Sequence, residues 1–117
     1  MIVRKLAAPA AIVAAGATFL LAGSAEAGRV VRVDVGSNFF APGQKTVKAG
    51  DKVRFAWEGG GFEVHDVRVR TGPVKFRSPL QAGGTWTTKR LTKPGTYQLY
   101  CSQHPDEMTM RLKVKRR

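Results

Sequence analysis

The stretch Lys93-Pro94-Gly95-Thr96-Tyr97-Gln98-Leu99-Tyr100-Cys101 decides the fold class. Its first three residues signal a turn: proline brings a pre-set φ of about −65°, and glycine follows with no Cβ to restrict it. After the turn the period is two. Tyr97, Leu99 and Cys101 fall on one face, and Gln98 and Tyr100 on the other, as in a strand buried on one side. The same period recurs in both directions. Downstream, Met110, Leu112 and Val114 share a face. Upstream, Val31, Val33 and Val35 alternate with Arg32 and Asp34, and Val53, Phe55 and Trp57 with Lys52, Arg54 and Glu58. Lys45 to Lys48 reads as a short strand ended by the turn Ala49-Gly50-Asp51. After Gly59-Gly60-Gly61, Val67 and Val69 alternate with Arg68 and Arg70. Gly83-Gly84 opens a predicted strand over Thr85 to Leu91, rich in the Thr and Trp that strands favour. Seven or so short strands with regular turns and no helical period predict an all-β sandwich.

The first 27 residues follow another logic. Arg4 and Lys5 precede an apolar run from Leu6 to Gly23, and Ala25-Glu26-Ala27 gives the small-x-small pattern of a cleavage site. The run approaches the roughly 18 apolar residues a short membrane span needs. Its residues are mostly the weakly hydrophobic Ala and Gly, and Pro9 interrupts it. We therefore expect a signal peptide over 1–27, cleavage after Ala27, and one periplasmic or extracellular domain over 28–117. No Arg pair marks a twin-arginine route, and no cysteine stands at the boundary for lipid attachment.

Removing 27 of the 117 residues leaves 90, enough to bury one core. That core has no disulfide to help it, because Cys101 is the one cysteine. An unpaired thiol in an oxidising compartment must be buried or held by something. The whole chain carries a net charge of +12; losing Arg4, Lys5 and Glu26 leaves +11. An exported protein has little access to nucleic acid, so the charge points to a solvated surface, an acidic protein partner or an anionic envelope surface. Most of the basic residues are scattered along the sequence; Arg111-x-Lys113-x-Lys115-Arg116-Arg117 alone forms a cluster.

The supply of soft ligands is small and concentrated. Beyond residue 27 the chain has one Cys (Cys101), two His (His65 and His104) and two Met (Met108 and Met110), and all but His65 fall between positions 101 and 110. Taken singly, Cys101 reads as a small core hydrophobe, each His as structural or exposed, and each Met as a core filler. Together they use the chain's whole complement of such side chains. A thiolate, two imidazoles and a thioether are the trigonal-plus-axial set that suits copper. Thioether is a poor zinc ligand, which argues against a structural zinc site. A metal-free adhesin or inhibitor would leave the clustering unexplained.

The run from Gly84-Thr85-Trp86 through Lys93-Pro94-Gly95-Thr96-Tyr97 to Cys101-Ser102-Gln103-His104-Pro105-Asp106-Glu107-Met108 resembles the C-terminal half of plastocyanin-like cupredoxins. Asn38-Phe39-Phe40-x-Pro42 and Val47-x-x-Gly50-Asp51-x-Val53-x-Phe55 resemble the family's second and third strands, and His65-Asp66-Val67 the segment that carries its first copper histidine. The resemblance implies a Greek-key sandwich of about seven to eight strands and one type-1 copper, Cu(I)/Cu(II). It implies His65, Cys101 and His104 as the trigonal ligands and Met108 as the axial one. Met110 stands where relatives often have Gly and competes for the axial place, although its alternation with Leu112 and Val114 suits a core role. Asp66 matches a polar residue that braces the cysteine loop, or is an ordinary acid at a strand edge.

With every ligand place filled by protein, no position is open to substrate, and we expect no enzyme. The function expected is outer-sphere transfer of single electrons between protein redox partners by a monomer. By resemblance, His104 would be the electron port; Tyr100 is a second route or simply an exposed strand tyrosine. The alternative is a copper carrier or copper-homeostasis protein, which would usually show more Met and His.

Overall fold

The computed structural model describes residues 28–59 and 63–117. The expected signal peptide and its cleavage site, with Gly60 and Gly61, lie outside the described residues. Eight strands follow in order: β1 Val30–Gly36, β2 Phe39–Ala41, β3 Gln44–Lys48, β4 Lys52–Trp57, β5 Arg68–Thr71, β6 Thr85–Thr87, β7 Gly95–Tyr100 and β8 Thr109–Lys115. They form two four-stranded sheets, ordered β2-β1-β4-β6 and β3-β8-β7-β5. No helix occurs among the described residues, so the expected all-β sandwich is what the chain forms.

The sequence pattern explains the layering. Across the parallel β1–β4 pair, Val31 meets Val53, Val33 meets Phe55 and Val35 meets Trp57, so the alternating apolar residues of both strands point the same way. In β8 exposed and buried residues alternate along the whole strand, which sends Met110, Leu112 and Val114 inward and Arg111, Lys113 and Lys115 outward. Met110 stands opposite Leu99 and Leu112 opposite Tyr97 in the antiparallel β7–β8 ladder. A chain of ring contacts, Phe40–Phe55–Trp86–Phe76–Tyr97, crosses the interior at centroid distances of 5.9 to 6.3 Å. Aromatic pairs in this range add about 0.5–1.5 kcal/mol each beyond the area they bury.

The turn before β7 requires its glycine. Gly95 has φ +145°, and a Cβ built there would lie 2.7 Å from Pro73 Cγ. The predicted strand over Thr85 to Leu91 is shorter than its composition suggested. It stops at Thr87 because Thr88 turns inward, accepting from Val53 N through its hydroxyl at 3.0 Å and donating its own amide to Val53 O at 2.9 Å. Leu91 still reaches the core, from irregular backbone.

The turn Ala49-Gly50-Asp51 ties the two sheets at one end. Asp51 is fully buried, and its carboxylate accepts from Lys48 N at 2.9 Å, Arg29 N at 2.9 Å and Arg117 Nη2 at 2.7 Å. Burial pushes its pKa up, but the two amides and the arginine charges outweigh that and hold it below the usual carboxylate value.

Candidate metal centre

At the opposite end, two separate segments meet. His65 lies between β4 and β5, where a pair of backbone bonds with Gln81 clamps it: His65 N to Gln81 O at 3.0 Å and Gln81 N to His65 O at 3.1 Å. Trp57 Nε1 donates to His65 O at 3.1 Å. The backbone carrying the imidazole is therefore held from both sides, and the residue is buried.

The second segment is the loop from Cys101, one residue past β7, to Met108, one residue before β8. Cys101 N donates to Met108 O at 3.0 Å, His104 N to Cys101 O at 3.2 Å and Met108 N to His104 O at 2.9 Å. These three bonds fold eight residues into a tight loop that starts and ends on the buried side. Cys101 and Met108 are fully buried, while His104 is half-buried. Arg70 Nη2 donates to Pro105 O at 2.6 Å and pins the loop from outside.

Cys101 Sγ lies 3.8 Å from His65 Nδ1, and the His65 and His104 rings stand 5.4 Å apart between centroids at 44°. A sulfur and a nitrogen bound to one first-row ion at about 2.3 and 2.0 Å, 120° apart, are separated by about 3.7 Å. The Cys101–His65 spacing thus fits a sulfur and a nitrogen held by one small ion. His65 has its pKa pushed down, first by burial and then by the neighbouring His104, with Glu63 and Asp66 opposing. The imidazole is accordingly held neutral, the form that ligates a metal. Met110 stands in the β8 ladder opposite Leu99, and both it and Met108 belong to the buried core cluster.

Asp66 braces the loop as the resemblance suggested. Fully buried, it accepts from Ser102 N at 2.7 Å and from Ser102 Oγ at 2.8 Å, next in sequence to Cys101, and from Arg68 Nε at 2.8 Å. Burial raises its pKa, and the Ser102 and Arg68 bonds more than reverse that. Tyr100 is half-buried under Arg70, whose guanidinium carbon sits 4.4 Å from the ring centroid.

One residue of the site escaped the sequence reading. Glu63 Oε1 lies 3.6 Å from His65 Nε2 and accepts from Ser37 Oγ at 3.0 Å. Glu63, His65 and His104 offer ligand atoms that all lie within 4.8 Å of one another. The signal was present: two residues apart in an extended segment, Glu63 and His65 share a side.

A family model described as a cupredoxin-like domain matches residues 9–114. The chain belongs to the cupredoxin family. It is similar to a chloroplastic plastocyanin of Oryza sativa subsp. indica, with 35% identity over 111 residues, covering 84% of this chain and 69% of that protein. Among solved structures it is similar to a copper-containing nitrite reductase from Thermus scotoductus SA-01, at 31% identity and a TM-score of 0.63. That match covers 72% of this chain but only 22% of the reductase, so the chain spans about a fifth of that enzyme. A reduced Cu(I) form of an amicyanin variant matches at a TM-score of 0.62 over 74% of this chain and 82% of amicyanin; at 22% identity this is a likeness of fold.

Proposed function

We propose that this cupredoxin is an exported electron carrier that holds one copper ion among His65, Cys101, His104 and Met108 and passes single electrons between protein partners. The observation that carries the reading is the fully buried Cys101 thiol, 3.8 Å from His65 Nδ1 and joined by backbone bonds to the segment bearing His104 and Met108. Copper bound there supplies a one-electron Cu(I)/Cu(II) couple and, through the thiolate, an intense visible absorption.

The chain's own residues do the rest. Cys101 and the two imidazoles supply the three strong donors, and the Met108 thioether the weak fourth one. His65 is immobilised by Gln81 and Trp57, and the Cys101 loop by Asp66 and Arg70. Donors fixed this firmly move little when the charge at the site changes, so little reorganisation opposes transfer. Four protein donors leave no place for a substrate, which supports a carrier over an enzyme. His104 is half-buried and lies in the loop of the buried thiolate, so in this reading it is the route by which partners reach Cys101. The full burial of Cys101 disfavours the ready metal exchange that a copper carrier requires. In this reading residues 1–27 are the signal peptide, and 28–117 are the domain that works outside the cytoplasm as a monomer.

Copper titration with voltammetry tests the proposal. We expect saturation at one copper per chain and a reversible one-electron wave, with the ion retained against a mild chelator. Rapid loss of copper to the chelator, or no reversible wave, would refute the carrier of electrons in favour of a carrier of copper.

A further inference from the structure

Basic residues that lie far apart in the sequence are gathered by the fold at the end remote from the metal centre. The turn Ala49-Gly50-Asp51 is the hub. Ala49 N donates to Lys115 O at 2.8 Å, Lys52 N to Arg29 O at 2.8 Å and Arg90 Nη1 to Gly50 O at 3.1 Å. Arg117 Nε donates to Ala49 O at 2.8 Å, and Lys48 and Lys115 are register partners in the β3–β8 ladder. Arg29, Lys48, Lys52, Arg90 and the run from Lys115 to Arg117 thus surround one turn, and its Asp51 carboxylate is fully buried. Lys48 and Lys115 are both exposed neighbours at the ends of two parallel strands, so their like charges repel across the pair. The exposed carboxylates Glu58, Glu63, Asp106 and Glu107 lie at the other end, beside His65 and in the Cys101–Met108 loop.

We propose that this basic end is a docking surface for the anionic headgroups of a lipid bilayer. Two observations favour a bilayer over an acidic protein. β8 runs from the metal loop to Lys115, so at about 3.4 Å per residue the two ends stand roughly 20 Å apart. A redox partner attracted to the basic end would be held away from His104, whereas a bilayer there leaves the metal end facing solution. Second, protein interfaces are built on large apolar anchors. Of the exposed large apolar side chains, Phe39, Val64 and Leu80 lie toward the metal end, opposite Gly36, next to His65 and next to Gln81, whereas the basic end carries only two valines, Val30 opposite Lys52 and Val74 in a cavity shared with Arg90. Each basic side chain near an anionic bilayer strengthens binding by about fivefold.

Co-sedimentation of the exported chain with phosphatidylglycerol-containing and pure phosphatidylcholine vesicles tests the proposal, with or without copper in the site. Binding is expected to the anionic vesicles, at least tenfold tighter than to neutral ones, and lost at about 0.5 M salt, where charges are screened within a few ångströms. The double variant Lys115→Gln/Arg116→Gln should bind at least tenfold more weakly. Arg54→Gln/Arg77→Gln removes the same net charge from a sheet face and from beside Arg68, and should cost less than about threefold. Equal losses in both variants would make net charge the whole cause and overturn the docking surface. So would equal binding to neutral vesicles, no vesicle binding, or capture by an immobilised acidic protein in place of vesicles.

Discussion

Two buried aspartates hold the two ends of the sandwich, and they do so with the same chemistry. Asp51 gathers Lys48 N, Arg29 N and Arg117 Nη2; Asp66 gathers Ser102 N, Ser102 Oγ and Arg68 Nε. Each is fully buried and closes a loop against strands distant in sequence. What differs is the loop. Asp51 fixes a turn flanked by the basic side chains of neighbouring strand ends, whereas Asp66 fixes the residue next to Cys101. The same device therefore secures the fold at one end and the geometry of a reactive site at the other. Mutation should separate the two roles.

Removing Asp51 should have the largest effect on stability. In Asp51→Ala two backbone amides and the Arg117 guanidinium, all partly buried, lose their acceptor, at a cost of about 3 kcal/mol. Thermal unfolding should show a fall of ten degrees or more for a domain this size. The visible spectrum of the copper-loaded variant, recorded well below its melting point, should match that of the parent. A spectral change would mean that the two ends are coupled.

Asp66→Ala should cost about 2 kcal/mol and, unlike the first variant, should shift the visible band and the reduction potential. If its spectrum and potential equal those of the parent, Asp66 is a structural acid like Asp51 and no more.

Acid titration separates the Asp51 contribution by sign. Its folded pKa lies below the value of about 3.9 for a free aspartate, so its carboxylate adds stability fully above that unfolded value. That stability is lost as pH falls through the lower folded value. The stability gap between the parent and Asp51→Asn should hold steady from pH 7 to about 5 and narrow below about 4. A gap independent of pH down to acid unfolding would show that the ionised form brings no advantage.

The smallest effects concern the two methionines. Met108→Leu should keep the blue colour and raise the potential, because a weak donor favouring Cu(II) is lost. Met110→Leu, a core swap of similar volume, should cost under about 1.5 kcal/mol and leave the potential unchanged. The reverse pattern in voltammetry would move the axial role to Met110.

The period of two made the fold legible, and the crowding of Cys101, His104 and Met108 into eight residues made most of the site legible. Both are local properties of the sequence. His65 stands 36 residues before Cys101 and could be joined to it only by counting the chain's few soft ligands and by the family likeness. The Asp66–Ser102 bonds span the same separation and follow from no local pattern. The early end of β6 depended on Thr88 exchanging strand geometry for bonds to Val53, a choice the Thr-rich composition does not reveal. The basic end was the least legible feature. Arg29, Lys48, Lys52 and Arg90 look scattered along the chain and become a surface only when the sheets bring their strand ends together.

The central claim is that Cys101 is a metal-bound thiolate beside His65 and His104. Visible absorption of copper-loaded protein, compared with Cys101→Ser loaded in the same way, tests it most directly. We predict an intense band in the oxidised parent that bleaches on mild reduction, and a colourless serine variant. A serine variant that stays blue, or a parent that binds copper without an intense visible band, would contradict the account.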